Sequence, residues 1–549
     1  MLRIGILVDS FRVEAWIGKI VDDIEGSDFA RIEAVVLSGK VPEASSGRPK
    51  DLGHLLFNWY QAWDYRRHRV APDALAQVDL CERLRDVPTV RTHPLRDRGT
   101  DGIAAEEMQE IGGFNLDVLF CFADLDIGGQ WLEAARCGIW KLHHGEARSG
   151  PPLLREIREG NPVSGAVLQA FTSEHGQGAI IDSGTTATDG GSLYRNRNPI
   201  YWKTANYAIR RLRDLDRKGF PDQQPFDSGG ECAVPQRAAC KMPTTGQMMV
   251  FLAKQFSQAV SSKILAKPTR QEDPWLIAFR ARTPGRKFDE AAGYRIIVSP
   301  QDRFYADPFL VDQEGKTFLF FEDYRYAERR GLISCAEIGP QGMIGEPIEV
   351  LRQPYHLSYP FIVRADGEIF MVPESSANRT VDLYRAVRFP CEWKHECTLL
   401  RDVNASDATI HISGGKYWMF VSLAEGAYSK NDELALFCAD ALTGPWTRHA
   451  GSPVVSDIRR ARCGGPLFRE GDRLIRPSQD CSVRYGYALV FSEVLLLNDL
   501  EYCETPIGRI DAGWLPGNLG THHYSRSAHY EAIDGHRRFG NLYADCLPS

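Results

Sequence analysis

The sequence predicts two structural classes in one chain: a doubly wound α/β domain, then an all-β, five-bladed propeller. Three observations carry this expectation. The first half alternates short apolar runs with longer mixed segments, the rhythm of strands and helices in a parallel sheet covered on both faces. Five times in the second half an apolar, strand-like run stops at a Gly-containing turn and resumes as a second run. At 549 residues the chain is also too long for a single hydrophobic core.

The α/β domain is expected over residues 1–215. Segments 4–8, 32–37 and 118–122 are short and largely apolar, Glu33 being the one charged residue, and read as strands buried on both faces. Residues 15–25 carry a helical pattern between the first two. No G-x-G-x-x-G follows the first strand, so the phosphate cradle of a dinucleotide-binding domain is missing. Composition shifts over 216–273, where Pro221, Pro225, Gly229, Gly230, Pro243 and Gly246 mark loop chemistry. Within that linker, Met248, Phe251, Leu252, Phe256, Val260 and Ile264 recur at helical spacing, which predicts one amphipathic helix over 247–265 bridging the domains.

The propeller is expected over 274–549. Residues 274–279 read as an opening strand of the kind that closes a ring by pairing with its last blade. The turns fall at Gln313-Glu314-Gly315-Lys316, Ala365-Asp366-Gly367-Glu368, Ser413-Gly414-Gly415-Lys416, Glu470-Gly471-Asp472-Arg473 and Ile533-Asp534-Gly535-His536, with glycine spacings of 52, 48, 56 and 64 residues. That loose period marks radial repeats. The glycines supply the positive φ a tight hairpin needs. Ahead of each turn stands a short signature: Ala306-Asp307-Pro308-Phe309, Tyr359-Pro360-Phe361, Asp407-Ala408-Thr409-Ile410, Gly465-Pro466-Leu467-Phe468 and His522-His523-Tyr524. Polar groups repeated at the start of each blade line a common central cavity.

Composition narrows the function classes. With 43% hydrophobic and 25% charged residues the chain matches soluble globular proteins. A formal net charge of -7 gives no footprint for nucleic acid, and the basic runs Arg66-Arg67-His68-Arg69 and 210–218 read as solvated helix faces. Thirteen scattered cysteines without C-x-x-C or zinc spacing predict a reduced, cytoplasmic protein with no metal site. The N-terminal apolar run ends at Asp9 and reads as a buried strand, not a signal peptide. No stretch approaches the ~18 uninterrupted apolar residues that span a bilayer.

In the first half, a strand containing Leu116-Asp117-Val118-Leu119 precedes Lys141-Leu142-His143-His144, then Ser164-Gly165-Ala166-Val167, then an acidic turn before Gly184. This stretch resembles the catalytic domain of folate-dependent formyltransferases. The resemblance implies a His flanked by an Asn and an Asp, which polarise the formyl donor, hold the oxyanion and move the amine proton. His143 matches the His. The Asn position is Lys141, which offers a cation to an oxyanion, and the Asp position is Gly176, with Glu146, Glu174 and Asp182 as nearby carboxylates. The implied cofactor is 10-formyltetrahydrofolate, with His144 beside the substrate.

In the second half Asp307, Glu374, Asp407, Asp480 and His523 hold comparable positions in different blades. Convergent carboxylates raise one another's pKa values, which supplies both an acid and a base. Phe304, Tyr305, Tyr355, Tyr359, Trp418, Tyr485 and Tyr524 cluster around these motifs, and aromatic faces stack on sugar rings. These stretches, with Arg476-Pro477-Ser478-Gln479-Asp480, resemble five-bladed propellers of the family 43 glycosidase type. The resemblance is closer to the N-terminal propeller domain of plant glucosamine inositolphosphorylceramide transferases and their bacterial relatives. It implies Asp307 as base or nucleophile and Asp407 as a pKa-adjusting acid. The proton donor expected before Gly465-Pro466 is replaced by Gly464, leaving Glu374 or Asp480 to substitute.

The expected catalytic set is therefore Lys141, His143, Asp307, Glu374 and Asp407, with His144, Tyr305, Trp418, Arg476, Asp480 and His523 binding substrate. The expected function is a transferase of glycan or glycoconjugate biosynthesis, moving a formyl or acyl group to an amino sugar or similar acceptor. The propeller would hold a saccharide or nucleotide sugar. A glycoside hydrolase or transglycosidase in the propeller, and a non-catalytic glycan-binding protein, are the alternatives.

Overall fold

The computed structural model describes residues 1–39, 52–93, 95–97, 100–125, 127–145, 151–173, 178–219, 242–265, 274–339, 342–424 and 429–538. The chain divides into two compact units, Met1–Leu265 and Ala266–Ser549.

The first unit is built on a seven-stranded sheet. Its strands are β1 (Leu2–Val8), β2 (Ala30–Leu37), β3 (Thr89–Arg91), β4 (Val118–Cys121), β5 (Ile139–His144), β6 (Val163–Phe171) and β7 (Ala179–Ala187), in the order β7-β6-β5-β4-β1-β2-β3. β1 to β5 pair in parallel. The sheet is mixed, because β6 runs antiparallel to β5 and β7 antiparallel to β6. Strand alternation divides its apolar residues between two cores: Ile4, Ile6, Val35, Val118 and Phe120 face one way, Leu7, Ala34, Val36, Leu119 and Cys121 the other. The run 15–25 is the helix α1 (Ala15–Glu25); α2 (Leu52–His68), α3 (Leu193–Lys218) and α4 (Thr245–Leu265) complete the larger layer. The helix expected as a bridge, α4, packs on this unit through Met248 and Phe251, while Phe256 and Val260 from the same expected stripe are exposed.

The second unit is a five-bladed propeller. Blade 1 comprises Arg303–Gln313, Lys316–Arg325, Arg330–Ile338 and Ile348–Leu351; blade 2 Ser358–Ala365, Glu368–Ser375, Thr380–Arg388 and Glu392–Arg401; blade 3 Ala405–Ser413, Lys416–Leu423, Leu434–Ala439 and Thr447–Arg448. Blade 4 comprises Arg462–Cys463 and Phe468–Glu470 with Arg473–Asp480, Ala488–Leu497 and Tyr502–Asp511. Blade 5 takes Asn518–Gly520, Tyr524–Arg526 and Tyr530–Arg537 from the end of the unit, and Trp275–Ala281 and Arg295–Ile297 from its start. The strand Trp275–Ala281 pairs antiparallel with Tyr530–Arg537 and closes the ring.

Four of the five expected turns join the first two long strands of blades 1 to 4. The fifth does not. Asp534 and Gly535 lie inside the strand Tyr530–Arg537, and the hairpin turns instead over Ser527–His529, where Ser527 N donates to Tyr530 O at 2.9 Å. Asp-Gly reads locally as a turn, but here burial of Asp534 among partners fixes the backbone as extended.

Candidate functional site

The first strands of blades 1, 2 and 3 each carry a bulge at the same place, between Ala306 and Phe309, Ser358 and Phe361, and Ser406 and Thr409. At each bulge a non-glycine residue has positive φ: Asp307 at 51°, Tyr359 at 46° and Asp407 at 56°. Such backbone costs on the order of 1–3 kcal/mol and persists only where its surroundings fix it. The bulge re-aims the side chain, and these three residues meet across blades. Asp307 Oδ2 accepts from Tyr359 N at 3.0 Å. The Tyr359 hydroxyl lies 2.7 Å from Thr409 Oγ1 of blade 3 and accepts from Gly465 N of blade 4 at 2.9 Å.

Two charged groupings occupy the convergence. In the first, Asp534 of blade 5 contacts His522 Nδ1 and accepts the backbone N–H of His522 and His523 at 2.8 and 3.0 Å. His522 Nε2 lies 3.6 Å from Asp307 Oδ1. His523 Nδ1 lies 3.7 Å from the same oxygen. Burial pushes Asp307 up to about 6 against the pull of His522, with Asp534 adding to the rise. Burial opposes the charge on His522, yet Asp534 and Asp307 outweigh it and raise that imidazole. Burial drives His523 down to about 3, so it is neutral. Asp307, His522 and Asp534 could together hold a metal ion by their spacing; the hydrogen bonds to Asp534 account for that carboxylate without one.

In the second grouping Arg462 of blade 4 reaches two carboxyls. Its Nε donates to Asp407 Oδ2 at 2.6 Å, its Nη2 lies 3.6 Å from Glu374 Oε2, and its Nη1 donates to Asn431 Oδ1 at 2.9 Å. Gln479 Nε2 donates to the same Asp407 oxygen at 3.0 Å. With one buried cation between two buried acids, the pair keeps a proton. Burial raises Asp407 to about 8 despite Arg462, and Glu374 and Asp307 add to the rise. Burial works against ionised Glu374 as well, but Arg462 and hydrogen bonding to Asp407 prevail and lower it. The ring of Tyr485, an exposed residue, lies 4.8 Å from the Arg462 guanidinium.

Of the expected propeller residues, Asp307, Glu374, Asp407 and His523 come together. The others do not. Asp480 turns outward along its own sheet, accepting from Arg509 Nη1 at 2.7 Å and Ser482 N at 2.8 Å. Arg476 is fully buried against Glu504 of the outer strand, at 2.6 Å. Tyr305 packs on Phe321 in the core. Trp418 donates to Ser413 O at 3.3 Å beside the blade 3 hairpin. Sequence reasoning missed Arg462, His522 as a charge carrier, and Asp534. The signal for Arg462 is its place two residues before Gly464. A Cβ at Gly464 would stand 2.9 Å from His522 O and 3.0 Å from Ser478 C, so no acid fits there, and blade 4 supplies a cation instead.

In the α/β unit the chain runs from β1 outward through β2 and β3, then returns to β4 on the other side of β1, which puts the topological switch point at the carboxyl ends of β1 and β4. Asp9 and Asp124 stand there, Asp124 N donating to Asp9 Oδ2 at 3.4 Å. Lys141 Nζ donates to Leu125 O at 2.6 Å. His143 shares the Lys141 face of β5; its Nε2 is buried without a hydrogen-bond partner among the described residues, and burial with the charge of Lys141 drives it down to about 4. Alternation sends His144 to the opposite face, 2.8 Å from Thr204 Oγ1 and packed on Trp16 and Tyr201. Asp182 pairs with Arg211 at 3.3 Å. Glu146, Glu174 and Gly176 lie outside the described residues.

Residues 296–511 match the family model described as glucosamine inositolphosphorylceramide transferase 1, N-terminal. Relatives of that name are 36% identical over 208 residues in Oryza sativa subsp. japonica and 35% identical over 208 residues in Arabidopsis thaliana. The alignment spans 37% of this chain and 28% and 27% of those proteins, so the chain covers under a third of the length of the curated relatives it matches. Among solved structures, a thermostable family-43 glycoside hydrolase is similar at 12% identity and a TM-score of 0.30, over 37% of this chain and 75% of that one. Glycinamide ribonucleotide transformylase 1 from Symbiobacterium toebii is similar at 15% identity and a TM-score of 0.28, over 41% of this chain and 92% of that one.

Proposed function

We propose that the chain is a transferase of glycan or glycoconjugate biosynthesis whose propeller holds the saccharide. The observation that carries this reading is the convergence of Asp307, Glu374, Asp407 and Arg462, from four blades, beside Tyr485, a partly exposed residue whose ring lies against the Arg462 guanidinium. Acids and a guanidinium in fixed register bind sugar hydroxyls, and an aromatic face stacks on the ring. The similarity to transferases named for glucosamine and inositolphosphorylceramide supports a glycoconjugate as the substrate class. The α/β unit would act on an amino sugar or similar acceptor by formyl or acyl transfer, with neutral His143 taking the amine proton. Among the described residues no carboxylate hydrogen-bonds to Lys141 or His143, and Lys141 is engaged with Leu125 O. These groups do not reproduce the amide and carboxylate that would orient 10-formyltetrahydrofolate, so the described residues do not fit that cofactor.

Calorimetric titration of the full chain with glucosamine-containing oligosaccharides and nucleotide sugars tests the propeller. Saturable binding weakened at least tenfold by Tyr485→Ala supports the reading; absence of binding across the panel overturns it.

One observation favours a second reading. Burial raises the Asp407 carboxyl to about 8, which suits it to act as the acid in glycoside cleavage with Asp307 as the base. Release of reducing ends from aryl glycosides, abolished by Asp307→Asn, would establish it. Saccharide binding without turnover would exclude it.

A further inference from the structure

The basic run at the end of α2 has no part in either site, yet it ends an unusual helix face. Leu52, Leu55, Trp59 and Trp63 recur at three- and four-residue steps, with Ala62 beside them, and all five are exposed, Trp59 at 60% and Trp63 at 45%. The two indoles stack with centroids 6.4 Å apart. Arg66, Arg67 and Arg69 continue the stripe, and Arg67 lies 5.7 Å over the Trp63 ring. None of the three arginines forms an ion pair among the described residues. The one acid of the helix, Asp64, is buried, accepting from Tyr194 N at 2.7 Å and Ser192 Oγ at 3.1 Å at the start of α3. That anchorage, with Phe57 and Tyr60 in the core, fixes which face points outward. The neighbouring helix α4, touching α2 through Phe251 and Tyr60 rings 4.9 Å apart, also exposes apolar residues: Val250 at 71% and Phe256 at 72%, with Met249 and Val260.

We propose that this face docks the chain peripherally on an anionic lipid bilayer, with Trp59, Trp63 and the apolar residues of α2 at the headgroup boundary and Arg66, Arg67 and Arg69 on lipid phosphates. Charge decides the occupant. In a protein whose net charge is -7, this surface carries arginines and no exposed acid on its helix, the complement of a phosphate layer. Tryptophan and arginine are the side chains that settle at a membrane interface. A second copy would bring the same arginines face to face, since a two-fold interface pairs a patch with itself. No helix among the described residues is long and apolar enough to cross a membrane.

The test is flotation of the full chain with vesicles of phosphatidylcholine and phosphatidylglycerol, and with phosphatidylcholine alone. The expected result is co-flotation with the anionic vesicles only, weakening as salt is raised. The double substitution Trp59→Ser, Trp63→Ser and, separately, Arg66→Gln, Arg67→Gln should each lower the bound fraction about tenfold or more. Both pairs are exposed, so far-UV circular dichroism should match the parent; if one pair fails to fold, the other still decides. Failure of the parent chain to float, or equal flotation of folded variants, overturns the proposal. So does a concentration-dependent dimer broken by the tryptophan substitutions, which assigns the face to a second copy.

Discussion

Glu374 and Asp407 share the guanidinium of Arg462, and all three are buried. Removing the cation leaves the ionised Glu374 without a countercharge, beside protonated Asp407, in a low-dielectric setting, a loss of roughly 3–5 kcal/mol. We expect Arg462→Ala to lower the melting temperature of the propeller and to abolish saccharide binding, read by calorimetry; a variant with parental stability would show that the pair is solvated. The pH dependence follows from the same groups. Folding raises Asp407 to about 8 and Asp307 to about 6 from an ordinary value near ~3.9. The folded chain therefore holds protons that the unfolded chain has released, and this contribution is complete in acid and lost as pH rises through 6 and then 8. Glu374 and Asp534 are held low and act in the opposite sense, losing their contribution as pH falls. Propeller stability should decline from pH 6 to 8, and Asp407→Asn should flatten the later part of the decline; equal slopes in thermal melts at stepped pH would refute the assignment.

The bulged first strand is the element that builds the site, and it was only partly legible in the sequence. The four Gly turns of blades 1 to 4 could be read because a hairpin's chemistry is local, and Asp307 and Asp407 could be read because the bulge repeats with its blade. Asp534 looked like a turn residue, since nothing within four residues shows that it will be buried against His522. Arg462 lay in Arg459-Arg460-Ala461-Arg462, a run indistinguishable from a solvated basic face until folding brings blade 3 beside it. Arg476 and Asp480 were misplaced because their partners, Glu504 and Arg509, come from an outer strand that a motif scan does not join to them. In the α/β unit, β1 and α1 were legible from period alone; the antiparallel β6 and β7 were not, because strand direction is set by connections. The Gly464 position gives a sharp test. With neighbouring backbone within 3.0 Å of any Cβ, Gly464→Glu should destabilise blade 4 by more than about 2 kcal/mol and confer no hydrolysis; a stable variant that cleaves aryl glycosides would contradict the packing.

At the scale of the molecule, the two units have separate cores, and the propeller's central site spans more chain than its family match. The matched residues, 296–511, include Asp307, Glu374, Asp407 and Arg462 but omit His522, Asp534 and the closing strand. A fragment of 296–511 should therefore expose two unpaired sheet edges and aggregate, whereas 274–538 should elute as a monodisperse, β-rich species; a folded short fragment would show that blade 5 is dispensable. Trp275, first residue of the closing strand, is sandwiched between the rings of His522 and His536, with centroids at 3.9 and 4.7 Å. During translation this strand leaves the ribosome long before its partner, Tyr530–Arg537. At ordinary elongation rates the wait is on the order of tens of seconds. For that interval the strand's pairing partner does not yet exist, so the ring cannot close until the last blade has been made.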